Sequence, residues 1–544
     1  MRKRKRDDAP SQHTSTKKPA IQRKNEPKPA SEPGTTTARQ TAGTTNTRRA
    51  KYPTEVSASP GSPPEPTGQA DVTRARVSSV PVANITPFEN GRLNIQLVTG
   101  SYERVLHGVS ASIPKHLLEA DAKTNSDKQT ATDGDNESVT FSDTFLFAAH
   151  ASSVRCLAFS PPTEADKRYL ATGSSDERIN IYSISTAPPS KHHRVDLPTL
   201  ASTAIAENPR NRSLGSLIHH DRAITHLEFP SKGKLFSAAE DNTIAISRTR
   251  DWTVLSSIKA PIPKPQGRPS GDTAAPGDTP AGVNDFAIHP SQKLMLSVGQ
   301  GERALRLWNL MTGKKAGVLN FNRNLLAQVG EGKYSSGEGR QVLWNGTGDA
   351  YIVGFERGAA VFGNDSKPQA LIRPSPPTKL HKIRVVKAGD VEFLAVATED
   401  GRVLFFSLED RTSTNEEKEL PLCTCVAQLG GGGAGISGRI KDFEVLEVQA
   451  DTPSRQTVLV VVTASSDGAV RLWSVGGKLT VLEAGRREPQ QIGSLVGTLE
   501  TGNRITCLGA FILDGKVDER SRGDDEGDAL PVVEEAETEG DKDD

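Results

Sequence analysis

His150, Ser174 and Asp176 supply the side-chain types of a hydrolytic triad: a base, a hydroxyl nucleophile and an acid that orients the base. His220 and Asp241 repeat part of the set, although Ser237 stands four residues before its aspartate whereas Ser174 stands two before Asp176. A single active site does not recur with a sequence repeat. The recurrence instead predicts structural clusters in which the histidine reaches the turn aspartate and the serine links it to the aromatic of the next strand. Buried members of such clusters must be paired to avoid a desolvation cost. Other chemical motifs are incomplete. Cys423-Thr424-Cys425 has no second pair, so zinc is not expected. Gly430 to Gly433 lacks a following Gly-Lys-Ser/Thr; it reads as a flexible insertion and not as a phosphate loop. His-Glu-x-x-His and Gly-x-Ser-x-Gly are absent. No catalytic residue, metal or cofactor is expected, and no enzyme.

The elements that must hold these residues repeat along the chain. One unit contains an apolar strand, a second strand ending in small residues and a turn aspartate, and an alternating third strand ending in an aromatic. It is clearest from Val154 to Tyr182, and recurs at Ile224–Ile246, Val283–Trp308, Val342–Phe362 and Ile383–Phe406, and again up to Ser474. Turn aspartates are Asp176, Asp241, Asp400 and Asp467; closing aromatics include Tyr182, Trp308 and Trp473. Period-two alternation specifies half-buried strands, and Asp-Gly and Asp-Asn tolerate the positive φ of tight hairpins. Units of this kind describe a β-propeller of WD-type repeats, although no third strand ends in the Trp-Asp dipeptide. Six units are legible. A seventh is expected to combine Arg504–Leu508 with Leu93–Ser112, closing the ring and removing its edges. The expected fold is therefore all-β, a seven-bladed propeller over residues 93–515.

Only 35% of the 544 residues are hydrophobic, below the roughly 45–50% of an ordinary globular domain. The deficit lies at the ends. Residues 1–90 carry 16 Lys+Arg against 8 Asp+Glu; residues 514–544 carry 4 against 14. Both segments are nearly free of large apolar side chains, so a basic tail at 1–90 and an acidic tail at 516–544 are expected to be disordered. Arg2-Lys3-Arg4-Lys5-Arg6 reads as a nuclear import signal or a phosphate-contacting arm, not as a secretory signal. Four cysteines fit a reducing compartment. The longest apolar run, Val458–Val462, is strand-sized, so no membrane partner is expected.

Cations cluster where first strands begin. Arg155, Arg384 and Lys441 follow the first apolar residue of such a strand, and Lys382, Arg439 and Arg504 precede it. Together they would form a positive collar at one channel mouth, suited to an acidic peptide or an RNA backbone.

Several stretches also resemble a known family. Leu97-Val98-Thr99-Gly100-Ser101-Tyr102-Glu103-Arg104-Val105-Leu106-His107-Gly108 is similar to the opening of the p21-activated kinase-interacting WD-repeat proteins, which include a fungal "maintenance of killer" ribosome factor. Ser175–Tyr182, Ser237–Asp241, Ile288–Gly299, Ala464–Gly468 and Arg504–Gly509 look like the same family in the same order. One departure is Gly301-Glu302, near where a turn aspartate is expected. The resemblance implies a non-enzymatic scaffold in nucleolar assembly and rRNA maturation of the large (60S) ribosomal subunit. Its implied partners are pre-60S proteins and pre-rRNA, with the chain a monomer inside a larger complex and no small-molecule substrate. A second implication is binding and inhibition of a p21-activated kinase.

Overall fold

The computed structural model describes residues 88–514, except 120–137, 164–165, 189–193, 196–204, 207, 209, 264–280, 390, 413–418, 435, 437, 450–456, 477–478 and 480–488. The basic run, nearly all of the basic N-terminal segment and the acidic C-terminal segment lie outside the described residues. The first described strand precedes Leu93, where the sequence pattern starts: Phe88–Glu89 pairs with Leu93 and Arg92.

Period-two alternation is realised as four-stranded antiparallel sheets. The inner strands, from which each sheet is built outward, are β1 (Val154–Phe159), β2 (Ile224–Ser231), β3 (Val283–Ile288), β4 (Gln341–Trp344), β5 (Leu380–Ala388), β6 (Ile440–Gln449) and β7 (Ile505–Ile512). From β1 the chain adds Lys167–Ser174, Ile179–Ser185 and Arg212–Leu217. The sheets of β2, β3 and β6 follow the same order, and those of β4 and β5 are joined at their edge by a Leu371–Leu422 bridge. The strand β7 pairs instead with Arg92–Ser101, Thr99 opposite Leu508, and that strand continues into Val105–Pro114 and Thr140–Ala148. Chain start and chain finish thus share one sheet. Each inner strand contacts the next, and β7 contacts β1, an arrangement that fits a propeller.

The apolar core is distributed between sheets. Leu93, Ile95 and Leu97 pack against Val460, Val462 and Leu472 of the β6 sheet. Val98 and Leu106 of that closing sheet turn the other way, towards Leu170 and Ile184. Phe405 and Phe443 join the β5 and β6 sheets, and Tyr351 and Phe362 reach back to the β3 sheet. Burying a side chain of this size contributes about 1.5–3 kcal/mol.

The hairpin chemistry is as expected. The residue after each turn aspartate is left-handed: Glu177 (φ 69°), Asn242 (63°), Gly401 (82°) and Gly468 (93°). Four differences stand out. The outermost strands, such as Arg212–Leu217 and Val254–Lys259, are mostly exposed and carry no clear alternation. A short helix, Arg323–Val329, capped by Asn322, precedes β4 and buries Leu325, Leu326 and Val329. The fifth inner strand begins at Leu380 and not at Ile383. The glycine run is not slack: Gly431 N–H donates to Gly401 C=O at 2.9 Å, and a Cβ on Gly430 would stand 2.8 Å from that carbonyl.

Candidate functional site

The clusters around the turn aspartates are separate, one within each sheet. In the first, His150 Nδ1 donates to Asp176 at 3.1 Å, leaving Nε2 2.8 Å from Thr172 Oγ1. Burial holds His150 below the usual histidine range, against the pull of Asp176. Burial also pushes Asp176 up, but the Ala151 and Arg178 amides and His150 outweigh it and lower the carboxyl. The hydroxyl that meets the histidine is Thr172, not Ser174. Ser174 instead donates to Ser152 C=O at 3.1 Å and accepts from Asp176 N–H at 3.2 Å.

The second cluster explains the spacing. His220 reaches Asp241 Oδ2 at 3.0 Å and Ser237 Oγ at 2.8 Å. Four residues before the aspartate is therefore the position that faces the histidine, for Thr172 and Ser237 alike. The corresponding hydroxyls elsewhere hold tryptophans: Trp308 Nε1 donates to Ser297 at 2.8 Å, and Trp473 Nε1 to Thr463 at 3.1 Å. The side chain of Tyr182, at the matching place in its strand, is half-buried. Asp400 is held by Arg402 (2.6 Å) and Thr398, while Asp467 caps Ala469 N–H at 3.0 Å and lies 3.4 Å from Arg471. Where Gly301-Glu302 replaces the turn aspartate, Glu302 forms a paired contact with Arg306. Each group is taken up by its own turn, so these residues form no common reaction centre.

The inner strands enclose a channel of about 690 Å³. All but β4 carry a bulge just after their first residue. The bulge shifts the register by one, so the residues two and four beyond the strand's first apolar residue face inward. One layer holds His226, Asp285, Gln341, Lys382 and Asp442, with Cys156 and Cys507; the next holds Glu228, Arg384 and Glu444.

Most of these groups tie adjacent strands together. Thr225 Oγ1 donates to Val283 C=O (2.6 Å), and Val342 N–H to Asp285 (2.9 Å). Gln341 bridges to His381 C=O (2.9 Å) and Ile383 N–H (2.8 Å). Arg384 Nε donates to Phe443 C=O (2.6 Å), Leu508 N–H to Asp442 (3.0 Å), and Thr506 Oγ1 to Val154 C=O (2.6 Å). From β1 an ion pair reaches the turn after the second strand of the β2 sheet, Arg155 to Glu240 at 2.6 Å. Burial beside Asp285 pushes the Glu228 carboxyl up to about 8, and burial beside Lys441 lowers His381 to about 4. The Cys156 thiol is pushed up to about 12 by burial, which makes it unreactive.

The six expected collar cations are therefore not equivalent. Arg155, Lys382, Arg384 and Lys441 line the channel; Arg439 and Arg504 do not. Because β5 starts at Leu380, Lys382 and Arg384 lie inside the channel. Arg384 is neutralised by Glu444 at 2.7 Å, with Asp442 at 3.6 Å. Only Arg439, Lys441 and Arg504 gather at the mouth, where β6 and β7 begin. Sequence reasoning missed the inward carboxylates Glu228, Asp285, Asp442 and Glu444. Their signal is the polar residue at the third or fifth place of an otherwise apolar strand.

Comparison with known proteins agrees with the repeat pattern. The family "WD domain, G-beta repeat" matches residues 141–183 and 211–246. Each matched repeat starts on the outer strand of one sheet and ends on the third strand of the next, so the repeats interlock neighbouring sheets. The chain is 28% identical over 78% of its length to p21-activated protein kinase-interacting protein 1-like of Xenopus laevis, covering 83% of that protein. It is 26% identical to Protein MAK11 of Saccharomyces cerevisiae, covering 76% of this chain and 82% of that one. Against Shk1 kinase-binding protein 15 of Schizosaccharomyces pombe the identity is 22%, over 79% and 88%. The chain is a WD-repeat homologue of these proteins, as the motifs in its sequence indicate.

Proposed function

We propose that this protein is a non-enzymatic scaffold, a closed seven-bladed propeller over residues 93–515, working in the nucleus and nucleolus. Its role there is assembly and rRNA maturation of the large ribosomal subunit. The observation that carries the reading is the relation to Protein MAK11 over 76% of this chain and 82% of that one. This relation agrees with the family resemblance, and the basic run Arg2–Arg6 fits nuclear import. A scaffold also suits a fold whose polar side chains are spent on holding its own strands. Depleting the protein should lower mature large-subunit rRNA relative to small-subunit rRNA. An unchanged ratio after complete depletion would refute the role.

A second reading has its own support. Several relatives are named for interaction with a p21-activated kinase, and one for binding Shk1 kinase. On this reading the chain occupies and inhibits a kinase's regulatory segment. Purified full-length chain would then capture a purified p21-activated kinase and reduce its activity. Capture without the ribosomal phenotype would favour this reading over the first.

A further inference from the structure

We propose that Arg439, Lys441 and Arg504, with the ring of Tyr102, form a docking surface for an acidic peptide segment of a partner protein. The proposal rests on the scaffold reading only in requiring a protein partner. It names where that partner is held.

The strands β6 and β7 begin side by side at the channel mouth. Arg439 and Lys441 flank Ile440, and Arg504 precedes Ile505, so the fold brings three cations onto one short arc. Charge accounting separates this arc from the rest of the face. Arg155 is matched by Glu240, Arg340 and Lys379 share Glu356, and Arg402 is matched by Asp400. In the arc, among the described residues, only Arg439 has a carboxylate partner, Glu399 at 3.3 Å, and it remains 53% exposed. Glu103 accepts from the backbone N–H of Arg504. The guanidinium of Arg504 lies over the Tyr102 ring, 5.6 Å from its centroid. Lys441 has no carboxylate within ion-pair distance among the described residues. Burial and the charges of Arg439 and Arg504 lower its ammonium below the usual lysine range, the expected effect of crowded like charges.

The arc also has an apolar platform. Tyr102 is 60% exposed, and an aromatic beside arginine is the usual chemistry of an interface anchor.

The charge pattern favours a peptide over RNA. A nucleic acid needs a continuous basic stripe, because its phosphates repeat without interruption. This arc is short. Glu399 bounds it on one side, Glu103 on the other, and Asp442 and Glu444 lie in the channel beneath. A peptide can present one or two carboxylates to the cations and an apolar residue to Tyr102, leaving the flanks neutral.

The test uses purified full-length protein and a fluorescein-labelled peptide of Asp, Glu and Leu, followed by anisotropy. The same peptide with Asn and Gln replacing the acids is the control. Only the acidic peptide should bind, and more weakly at high salt. Lys441→Glu and Arg504→Glu should each weaken binding about tenfold or more. Lys441→Arg should retain it, as should Arg178→Gln, an exposed cation elsewhere on the face. Melting temperatures verify folding, and Lys441→Gln serves if a charge reversal unfolds the chain. Absence of binding, or equal loss in Arg178→Gln, would overturn the proposal. So would tighter binding of an oligouridylate through the same three cations. A tenfold gain on deleting residues 515–544 would show that the chain's own acidic segment fills the arc, and would also overturn it. Failure of the ribosomal role would appear separately, as unchanged rRNA with peptide binding intact.

Discussion

Thr172 shows how much rests on one hydroxyl. It is fully buried and lies 2.8 Å from His150 Nε2, the ring nitrogen that Asp176 does not hold. Thr172→Val keeps the shape and leaves a buried ring nitrogen without its partner. Chemical denaturation should show a loss of about 1–3 kcal/mol, the usual penalty for orphaning a buried polar group. A loss near zero would mean that water replaces the hydroxyl. The inward carboxylate Glu228 makes a prediction about pH. Burial, reinforced by Asp285, raises it from 4.5 to about 8 in the folded protein. Between those values the unfolded chain has released the proton while the folded chain keeps it, so the stabilising contribution declines as pH rises. Glu228→Gln carries no such proton. Its melting temperature should gain on that of the wild type as pH rises from about 5 to about 8. A constant difference across this range would show that Glu228 ionises freely in the channel. Neither residue stood out in the sequence. A threonine inside a strand is ordinary β chemistry, and the aspartate two residues after Ser174 drew attention to the wrong hydroxyl.

At the scale of strands, the staples between neighbours are what fix the inner ring. Asp442 accepts from Leu508 N–H on β7 and from its neighbour Phe443 N–H, and it lies 3.6 Å from Arg384 of β5. It therefore connects three inner strands. Asp442→Ala should remove about 1–3 kcal/mol, since it orphans the Leu508 and Phe443 amides while Glu444 still pairs Arg384, whereas Asp442→Asn keeps an acceptor and should lose less. Equal losses would assign the effect to charge and not to hydrogen bonding. The inner, second and third strands were legible because each alternates against a buried neighbour. Val154–Phe159, Lys167–Ser174 and Ile179–Ser185 follow the sequence pattern closely. Arg212–Leu217 was not legible, because a strand with one bonded edge and little burial has no apolar period to display. The bulges were equally hidden. They insert one residue at the head of every inner strand but β4; at β5 the bulge follows Leu380, so Lys382 and Arg384 lie in the channel and not in the expected collar. Arg439 and Arg504 stay at the mouth because they precede the first residues of β6 and β7, and Lys441 because it is the extra residue of the β6 bulge.

For the whole molecule, closure is the step that decides whether the sheets form a ring or an open stack. The closing sheet depends on β7, which pairs with Arg92–Ser101 along nearly its whole length. It also buries Leu508 and Phe511 at the two flanking junctions. Truncation after residue 500 would expose the backbone of Arg92–Ser101 as an edge and uncover apolar side chains on two neighbouring sheets. An unpaired, hydrophobic edge recruits other chains, so this variant should aggregate or elute as large oligomers in size-exclusion chromatography. Truncation after residue 514 keeps every pairing of β7, including the Leu513 N–H to Asn94 C=O bond at 2.9 Å. That protein should elute as a discrete species with the melting temperature of the full chain. The contrast depends on fourteen residues that carry both a strand and its hydrogen-bond partners. If the shorter truncation remained monodisperse and equally stable, the ring would be held by lateral packing of the other sheets, and the shared terminal sheet would be dispensable.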